Sequence, residues 1–187
     1  MNDYIEKEIK VKVDNPAQIV NKLQSIGAEF LGGALEKTIR FDTPNMDFEK
    51  AGKFIRCRSG FHNTITLKEK IKNSDPNVRA RKETEFDIED IEKMKYILES
   101  LGLTHTMTME KYRQNWQLDK VSITLDELCF GIFMEIEGEE TEIENTCKLL
   151  GVNPNEKILV TYWELWKEVS DKKDIVFDND YNFQLKR

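Results

Sequence analysis

Hydrophobic and polar positions alternate cleanly in the first stretch of the chain, Tyr4 to Val13. Ile5, Ile9, Val11 and Val13 fall on one side of an extended segment, with Lys7 interrupting that side, and Glu6, Glu8, Lys10 and Lys12 fall on the other. Successive side chains of a strand point to opposite faces, so this pattern predicts a strand with one apolar and one charged face. Asn15-Pro16 then predicts a helix start, capped by Asp14 or Asn15, with Ile19, Val20, Leu23 and Ile26 as its apolar stripe and Gly27 as its end. Glu29 to Asp42 reads as a second strand, interrupted or bulged at Gly32-Gly33. Thr43-Pro44-Asn45 is a turn, and Met46 to Ala51 a short irregular or helical piece. Lys53 to Ser59 and Thr64 to Lys70 predict a hairpin, and Lys72 to Asn77 a polar loop.

The pattern then begins again. Arg79 to Asp87 is a strand with Arg81, Glu83, Glu85 and Asp87 on one face. A helix from about Ile88 carries Ile91, Met94, Ile97, Leu98 and Leu101 and ends at Gly102. Glu6-x-Glu8 and a helix ending Ser25-Ile26-Gly27 are answered by Glu83-x-Glu85 and a helix ending Ser100-Leu101-Gly102. Thr104 to Gln117, Lys120 to Glu127 and Gly131 to Glu139 complete the second set of strands. The chain therefore reads as a pseudo-duplicated strand–helix–three-strand unit with about eight mostly antiparallel strands. Thr141 to Val169 reads as helical: a stripe of Ile143, Cys147 and Leu150 ends at Gly151, and a second helix starts at Asn153-Pro154 and runs through Tyr162, Leu165 and Trp166. A polar tail, Asp171 to Arg187, is expected to add an edge strand or a wrap. No linker divides the chain, so one domain over 1–187, with its core at about 4–166, is expected.

Composition narrows the partners. A net charge of −7 argues against general nucleic-acid binding, which favours a basic surface, but leaves room for a local basic pocket. The N-terminus lacks an apolar signal region and no run is long enough to cross a bilayer, so no membrane association and a cytoplasmic location are expected. Cys57, Cys129 and Cys147 show no CxxC spacing, which suggests neither a disulfide framework nor a zinc site. A homodimer is compatible with the sequence.

Charge carries the functional signal. The acids Glu6, Glu8, Glu83, Glu85, Asp126, Glu135 and Glu137 and the bases Lys10, Arg56, Arg58, Lys68, Lys111 and Arg113, with Arg81 and Arg40 as further candidates, share strand faces with the first motif. Ordinary cross-strand ion pairs on an open sheet would account for the charge balance. They do not account for like-charge doublets two residues apart, such as Arg56/Arg58, Lys111/Arg113 and Glu135/Glu137. A closed sheet with a charged interior would. Carboxylates without Cys or His suit a hard cation such as Mg²⁺ or Mn²⁺, and converging ammonium and guanidinium groups suit a polyanion. One metal–polyphosphate complex satisfies both.

Glu6-Lys7-Glu8-Ile9-Lys10 resembles the ExExK signature of the CYTH superfamily, the triphosphate tunnel metalloenzymes. The resemblance continues in order through Phe41-Asp42-Thr43-Pro44, Ile55-Arg56-Cys57-Arg58, Thr66-Leu67-Lys68, Arg81-x-Glu83-x-Glu85, Lys111-x-Arg113, Leu125-Asp126 and Phe133-Met134-Glu135-Ile136-Glu137, and reaches Tyr162-Trp163-Glu164-Leu165. Asp47-Phe48 and Lys53-Phe54-Ile55-Arg56 look most like the class IV adenylate cyclase branch. The resemblance implies an α+β fold: an eight-stranded, mostly antiparallel closed β-barrel, or tunnel, with helices outside. It implies that Glu6, Glu8, Glu135 and Glu137 hold Mg²⁺ or Mn²⁺, assisted by Asp126 and by Glu83 or Glu85. Lys10, Arg56, Arg58, Lys68, Arg81, Lys111 and Arg113 would bind the phosphates, and Glu6, Glu8, Lys10, Asp126 and Lys111 would form the catalytic set. The implied activity is conversion of ATP to cyclic AMP and pyrophosphate. A triphosphatase acting on inorganic, nucleoside or thiamine triphosphate is the alternative, and a non-catalytic polyphosphate or nucleotide sensor a third reading. The nucleobase is implied by the resemblance alone, and Lys68 departs from the family pattern in being followed by Glu69 and Lys70.

Overall fold

The computed structural model describes residues 4–71 and 79–185. Two similar runs of elements make up most of it. In the first, β1 (Tyr4–Lys12) leads through α1 (Pro16–Ser25) to β2 (Glu29–Asp42), then through α2 (Asp47–Lys50) to β3 (Lys53–Ser59) and β4 (Thr64–Lys70). In the second, β5 (Arg79–Asp87) leads through α3 (Ile91–Ser100) to β6 (Thr104–Leu118), β7 (Val121–Leu128) and β8 (Gly131–Glu137). Helices α4 (Glu140–Leu150) and α5 (Tyr162–Val169) follow, separated by a 3-10 turn at Pro154–Glu156. The loop expected at Lys72 to Asn77 lies outside the described residues. No described helix is long and apolar enough to cross a membrane.

Local chemistry sets the element ends. The Asn15 side chain accepts the Gln18 N–H at 3.1 Å and Pro16 occupies the first turn of α1. At α3 the cap is Asp90, which accepts the Lys93 N–H at 3.0 Å, so the helix begins at Ile91, the first residue of its apolar stripe, and not at the expected Ile88. In β2 the register shifts between Phe30 and Gly32, as the paired glycines predict. Gly32 has φ +127°, and a Cβ there would stand 2.5 Å from the Phe61 ring.

The apolar faces of the strands turn outward. Ile9 and Val11 of β1, Ile123 and Leu125 of β7, and Met134 and Ile136 of β8 pack under α1 and α4, against Leu23, Ile143 and Cys147. Phe41 and Cys57 pack under α3, against Leu98. Each such large side chain contributes about 1.5–3 kcal/mol when fully buried. The helices thus cover the outside of the sheet and leave its charged faces to line the inside.

All strand pairings are antiparallel, in the order β1-β5-β4-β3-β2-β6-β7-β8 with return to β1. The expected closed β-barrel nevertheless needs correction, because the strands alone do not make a continuous wall. β1 pairs with β5 over Tyr4 to Glu8 and with β8 over Glu8 to Lys12. Beyond Glu8 its β5-side edge is taken by a non-strand segment, where the Ile158 N–H donates to the Lys10 carbonyl at 2.7 Å. β7 covers β6 over Tyr112 to Leu118. Further along β6, Ile175 from the tail makes an isolated parallel bridge, exchanging hydrogen bonds with Thr108 and Glu110. The cause is length: the nine residues of β1 do not span both neighbours, and the fifteen of β6 outrun the eight of β7. The result is a ring of eight antiparallel strands in which, along parts of β1 and β6, chain of other conformation takes the place of a neighbouring strand.

Those segments also correct the reading of the C-terminal region. The single helix expected from Asn153-Pro154 is a 3-10 turn, an extended segment that meets β1, and then α5. Thr161 restarts the helix: its hydroxyl accepts the Glu164 N–H at 3.1 Å while the Glu164 carboxylate accepts the Thr161 N–H at 2.7 Å. The tail wraps the sheet rather than extending it. Its end is held by Glu127, a fully buried carboxylate that accepts the Gln184 and Leu185 N–H groups at 2.8–3.0 Å.

Candidate functional site

Strand register stacks the inward side chains in layers. Arg40 of β2 stands opposite Arg56 of β3 and Met107 of β6; Thr38 stands opposite Arg58 and Met109; Glu36 stands opposite Lys111. The Arg56/Arg58 and Lys111/Arg113 doublets therefore flank β2 from either side. On the far side of the ring, Lys10 of β1 lies opposite Glu135 of β8, and Glu8 opposite Glu137. These strands enclose a cavity of about 140 Å³ lined by Glu8, Lys10, Arg56, Arg58, Lys68, Lys111, Arg113 and Glu135 among the residues expected from sequence. Arg40, Thr38, Phe54, Met107, Met109 and Thr161 to Trp163 complete the lining.

Two groups of charge face this space. The first centres on Asp126 of β7, which is 0 % exposed. It accepts from Lys111 Nζ at 2.9 Å, from Arg113 Nε and Nη2 at 2.6 and 2.5 Å, and from the Tyr162 hydroxyl at 2.9 Å. Arg113 also reaches Glu135 at 2.6 Å, and Glu135 lies 3.3 Å from Lys10 Nζ. Lys10, 2 % exposed, stands 4.1 Å from the Tyr162 ring centre and donates to the Val160 carbonyl. Burial pushes the Lys111 ammonium down, with Arg113 adding to the effect against the pull of Asp126 and Glu36. Burial likewise pushes the Tyr162 phenol well above its ordinary range, and Asp126 adds to it.

The second group lies on β3, β4 and β5. Arg56 Nε donates to the Thr66 hydroxyl at 3.2 Å, and Thr66 in turn donates to Glu85 at 2.6 Å. Lys68 pairs with Glu83. Arg40 reaches Glu49 at 3.1 Å and lies over the Phe54 ring, as does Arg81. Glu83 and Glu85, candidates for the metal, thus sit with the basic residues of β3 and β4, on β5, the strand next to β1, rather than with Glu135 and Glu137 of β8. Glu6 is opposite Arg81 on β5, and its side chain lies outside the described residues.

Several site residues escaped the sequence reading. Glu36 is 5 % exposed and lies 3.5 Å from Lys111, 3.7 Å from Arg58 and 3.9 Å from Arg113. Burial works to raise its carboxyl, but Lys111, Arg113, Arg58 and Arg56 outweigh that and hold it at about 2. Strand parity with Arg40 pointed to both Thr38 and Glu36. Tyr162 stood in a quoted motif, but nothing local marks it as an Asp126 ligand.

Among the described residues, no three His, Cys, Asp or Glu side chains gather into a metal-binding set. A divalent ion still fits the β1/β8 side. Glu8 lies opposite Glu137 in the register, and Glu8 and Glu135 both line the cavity, so carboxylate oxygens of the kind a hard cation takes are gathered on these two strands. Mg²⁺ typically takes one or two carboxylates and completes its shell with water and phosphate oxygens, so a three-carboxylate cage is not required.

The CYTH domain family model matches residues 4–150. A Methanocaldococcus jannaschii protein provisionally named an adenylate cyclase is 28 % identical over 178 residues, 95 % of this chain and 96 % of that one. The solved structure of the PH1819 protein from Pyrococcus horikoshii is 30 % identical, covers 87 % of this chain and 98 % of its own, and superposes with a TM-score of 0.70. A Hippeastrum protein, provisionally an adenylyl cyclase and described as revealing a dominant triphosphatase activity, shares the fold at 18 % identity and a TM-score of 0.62, covering 87 % of this chain and 95 % of its own.

Proposed function

Because the chain belongs to the CYTH domain family, we propose that it is a divalent-metal-dependent triphosphate enzyme that converts ATP to cyclic AMP and pyrophosphate. One observation carries the anionic substrate. Arg58 Nε, Arg40 Nε and Thr38 Oγ1, all on cavity-lining residues, are buried and find no hydrogen-bond partner within the protein. Leaving such donors unmade is costly, and phosphate oxygens satisfy them.

On this reading Arg56, Arg58 and Lys68 receive the terminal phosphates. Lys111 and Arg113, held from behind by Asp126, and Lys10, placed by Glu135 and Tyr162, face the rest of the chain of phosphates. Glu8, Glu135 and Glu137, with Glu6, would hold Mg²⁺ or Mn²⁺. When bound, the ion lowers the pKa of an oxygen nucleophile and offsets charge on the phosphates. The ribose 3′ oxygen bonds to the α-phosphorus, the α–β bridging P–O bond breaks, and the proton lost from the hydroxyl passes to water. Arginine and lysine donors stabilise the departing pyrophosphate. Phe54, Met107, Met109 and Trp163 give the cavity an apolar, partly aromatic side suited to a nucleoside. The provisional cyclase name of the 28 % identical relative supports the same choice.

A triphosphatase is the second reading, favoured by the cavity itself. About 140 Å³ suits a phosphate chain, whereas pockets for whole drug-sized ligands run to roughly 300–1,000 Å³. Water would then attack the terminal phosphorus. The test is incubation with ATP and with inorganic triphosphate, each with Mg²⁺ or Mn²⁺, resolving all products. Cyclic AMP with pyrophosphate supports the first reading, orthophosphate the second, and no turnover of either compound overturns both. Glu137→Gln should abolish whichever turnover is seen without lowering thermal stability.

A further inference from the structure

Glu36 does not line the cavity; it lies beneath Arg58, Lys111 and Arg113, three residues that do. Its geometry differs from that of the other buried acid behind the lining. Asp126 is tied by short hydrogen bonds to Lys111, Arg113 and Tyr162. Glu36 Oε2 is buried, receives no hydrogen bond, and stands 3.5–3.9 Å from three cations brought in by two different strands. A carboxylate so placed orients none of them strongly and acts on all of them through charge. The backbone closes over it: a Cβ at Gly60, where φ is +156°, would fall 2.8 Å from Glu36 Cγ, so a side chain at 60 would displace the acid.

We infer that Glu36 is an internal anion that competes with the phosphates for Arg58, Lys111 and Arg113, weakening their hold so that the polyanionic product is released. It is a positioning residue in that it acts through these cations and touches no reacting atom. The inference rests on the triphosphate reading above, and names what regulates the affinity of that site.

Pyrophosphate serves as the probe, since both reactions leave a diphosphate. Glu36→Gln keeps the shape and removes the charge. It should bind pyrophosphate about tenfold more tightly by calorimetry in Mg²⁺, the effect of about 1.4 kcal/mol of relieved competition. Its KM for ATP or triphosphate should fall and kcat should fall with it, as release slows. Glu36→Asp, which withdraws the charge by one methylene, should shift affinity in the same direction by less, and it keeps the question open to measurement where the Gln variant does not fold. A residue that merely braced the cations would give weaker binding on removal. Unchanged or weaker pyrophosphate binding in the folded variants therefore overturns the inference. Wild-type protein that binds neither pyrophosphate nor triphosphate and turns over no substrate overturns the triphosphate reading instead.

Discussion

The Arg56/Arg58 and Lys111/Arg113 doublets look alike in sequence, lie on either side of β2 and line the same cavity, yet they are different parts of the machine. Lys111 and Arg113 form hydrogen bonds to a fully buried aspartate, and Arg113 to Glu135 as well. Arg58 has its Nε buried without a hydrogen bond, and Arg56 leans on a hydroxyl, with Glu85 3.9 Å away. One doublet is tied to buried acid by short hydrogen bonds and presents a fixed charge; in the other, Arg58 keeps a buried donor with its hydrogen bond unmade. Convergent charge is therefore not one pool of binding energy. A base already bonded to a buried acid supports the fold, while a base with unmade hydrogen bonds favours the anion that makes them.

Removing the acid at the centre of the hydrogen-bonded side should give the largest effect. Asp126→Asn leaves Lys111 and Arg113 without their buried counter-charge and should destabilise the protein by about 3–5 kcal/mol, read by chemical denaturation. Stability within error of wild type would erase the distinction between the two doublets. Next come the bases themselves. Arg58→Ala should weaken triphosphate binding by about 1.5–3 kcal/mol, the loss of charged hydrogen bonds, while leaving thermal stability level or higher. Arg113→Ala should lower both, because Asp126 and Glu135 lose their partner. Equal behaviour of the two variants would break the comparison.

Acid sharpens it further. The Glu36 carboxyl is held at about 2 in the folded protein against an ordinary 4.5. Its contribution to stability is fully present above about 4.5, where the group is ionised in both states. It is lost as pH falls toward 2, because the unfolded chain takes up the proton first. Glu36→Gln should therefore be less stable than wild type at neutral pH and show a shallower loss between pH 4.5 and 2, measured by urea unfolding at stepped pH. The smallest effect belongs to Glu85, whose side chain is 43 % exposed. Glu85→Gln should change stability by less than about 1 kcal/mol, in keeping with an accessible ion pair.

Much of this was legible in advance. Ile9, Val11, Ile123, Leu125, Met134 and Ile136 sit at alternate positions, and that local pattern was enough to separate an apolar face from a charged one. The repeated strand–helix–three-strand unit appears in the observed order of elements, and the bulge at Gly32-Gly33 falls where two adjacent glycines predict it. Less was legible where one segment meets another. The helix expected from Asn153 gave way to an extended piece, because the edge of β1 beyond Glu8 offers the Lys10 carbonyl to Ile158.

Sequence by itself determined the inward chemistry of the strands, since side-chain alternation is a property of the local backbone and needs no partner. It also determined the duplication and most element boundaries, which follow from glycines, prolines and caps within a few residues. Tertiary structure decided which charges are answered. Asp126 meets a tyrosine hydroxyl 36 residues away, and Glu36 meets Lys111 through the pairing of β2 with β6. It also decided that short β1 leaves an edge for residue 158 and that long β6 leaves one for residue 175. Partner and register are set by which strands lie side by side, and Coulomb and hydrogen-bond energies depend on that distance rather than on position along the chain.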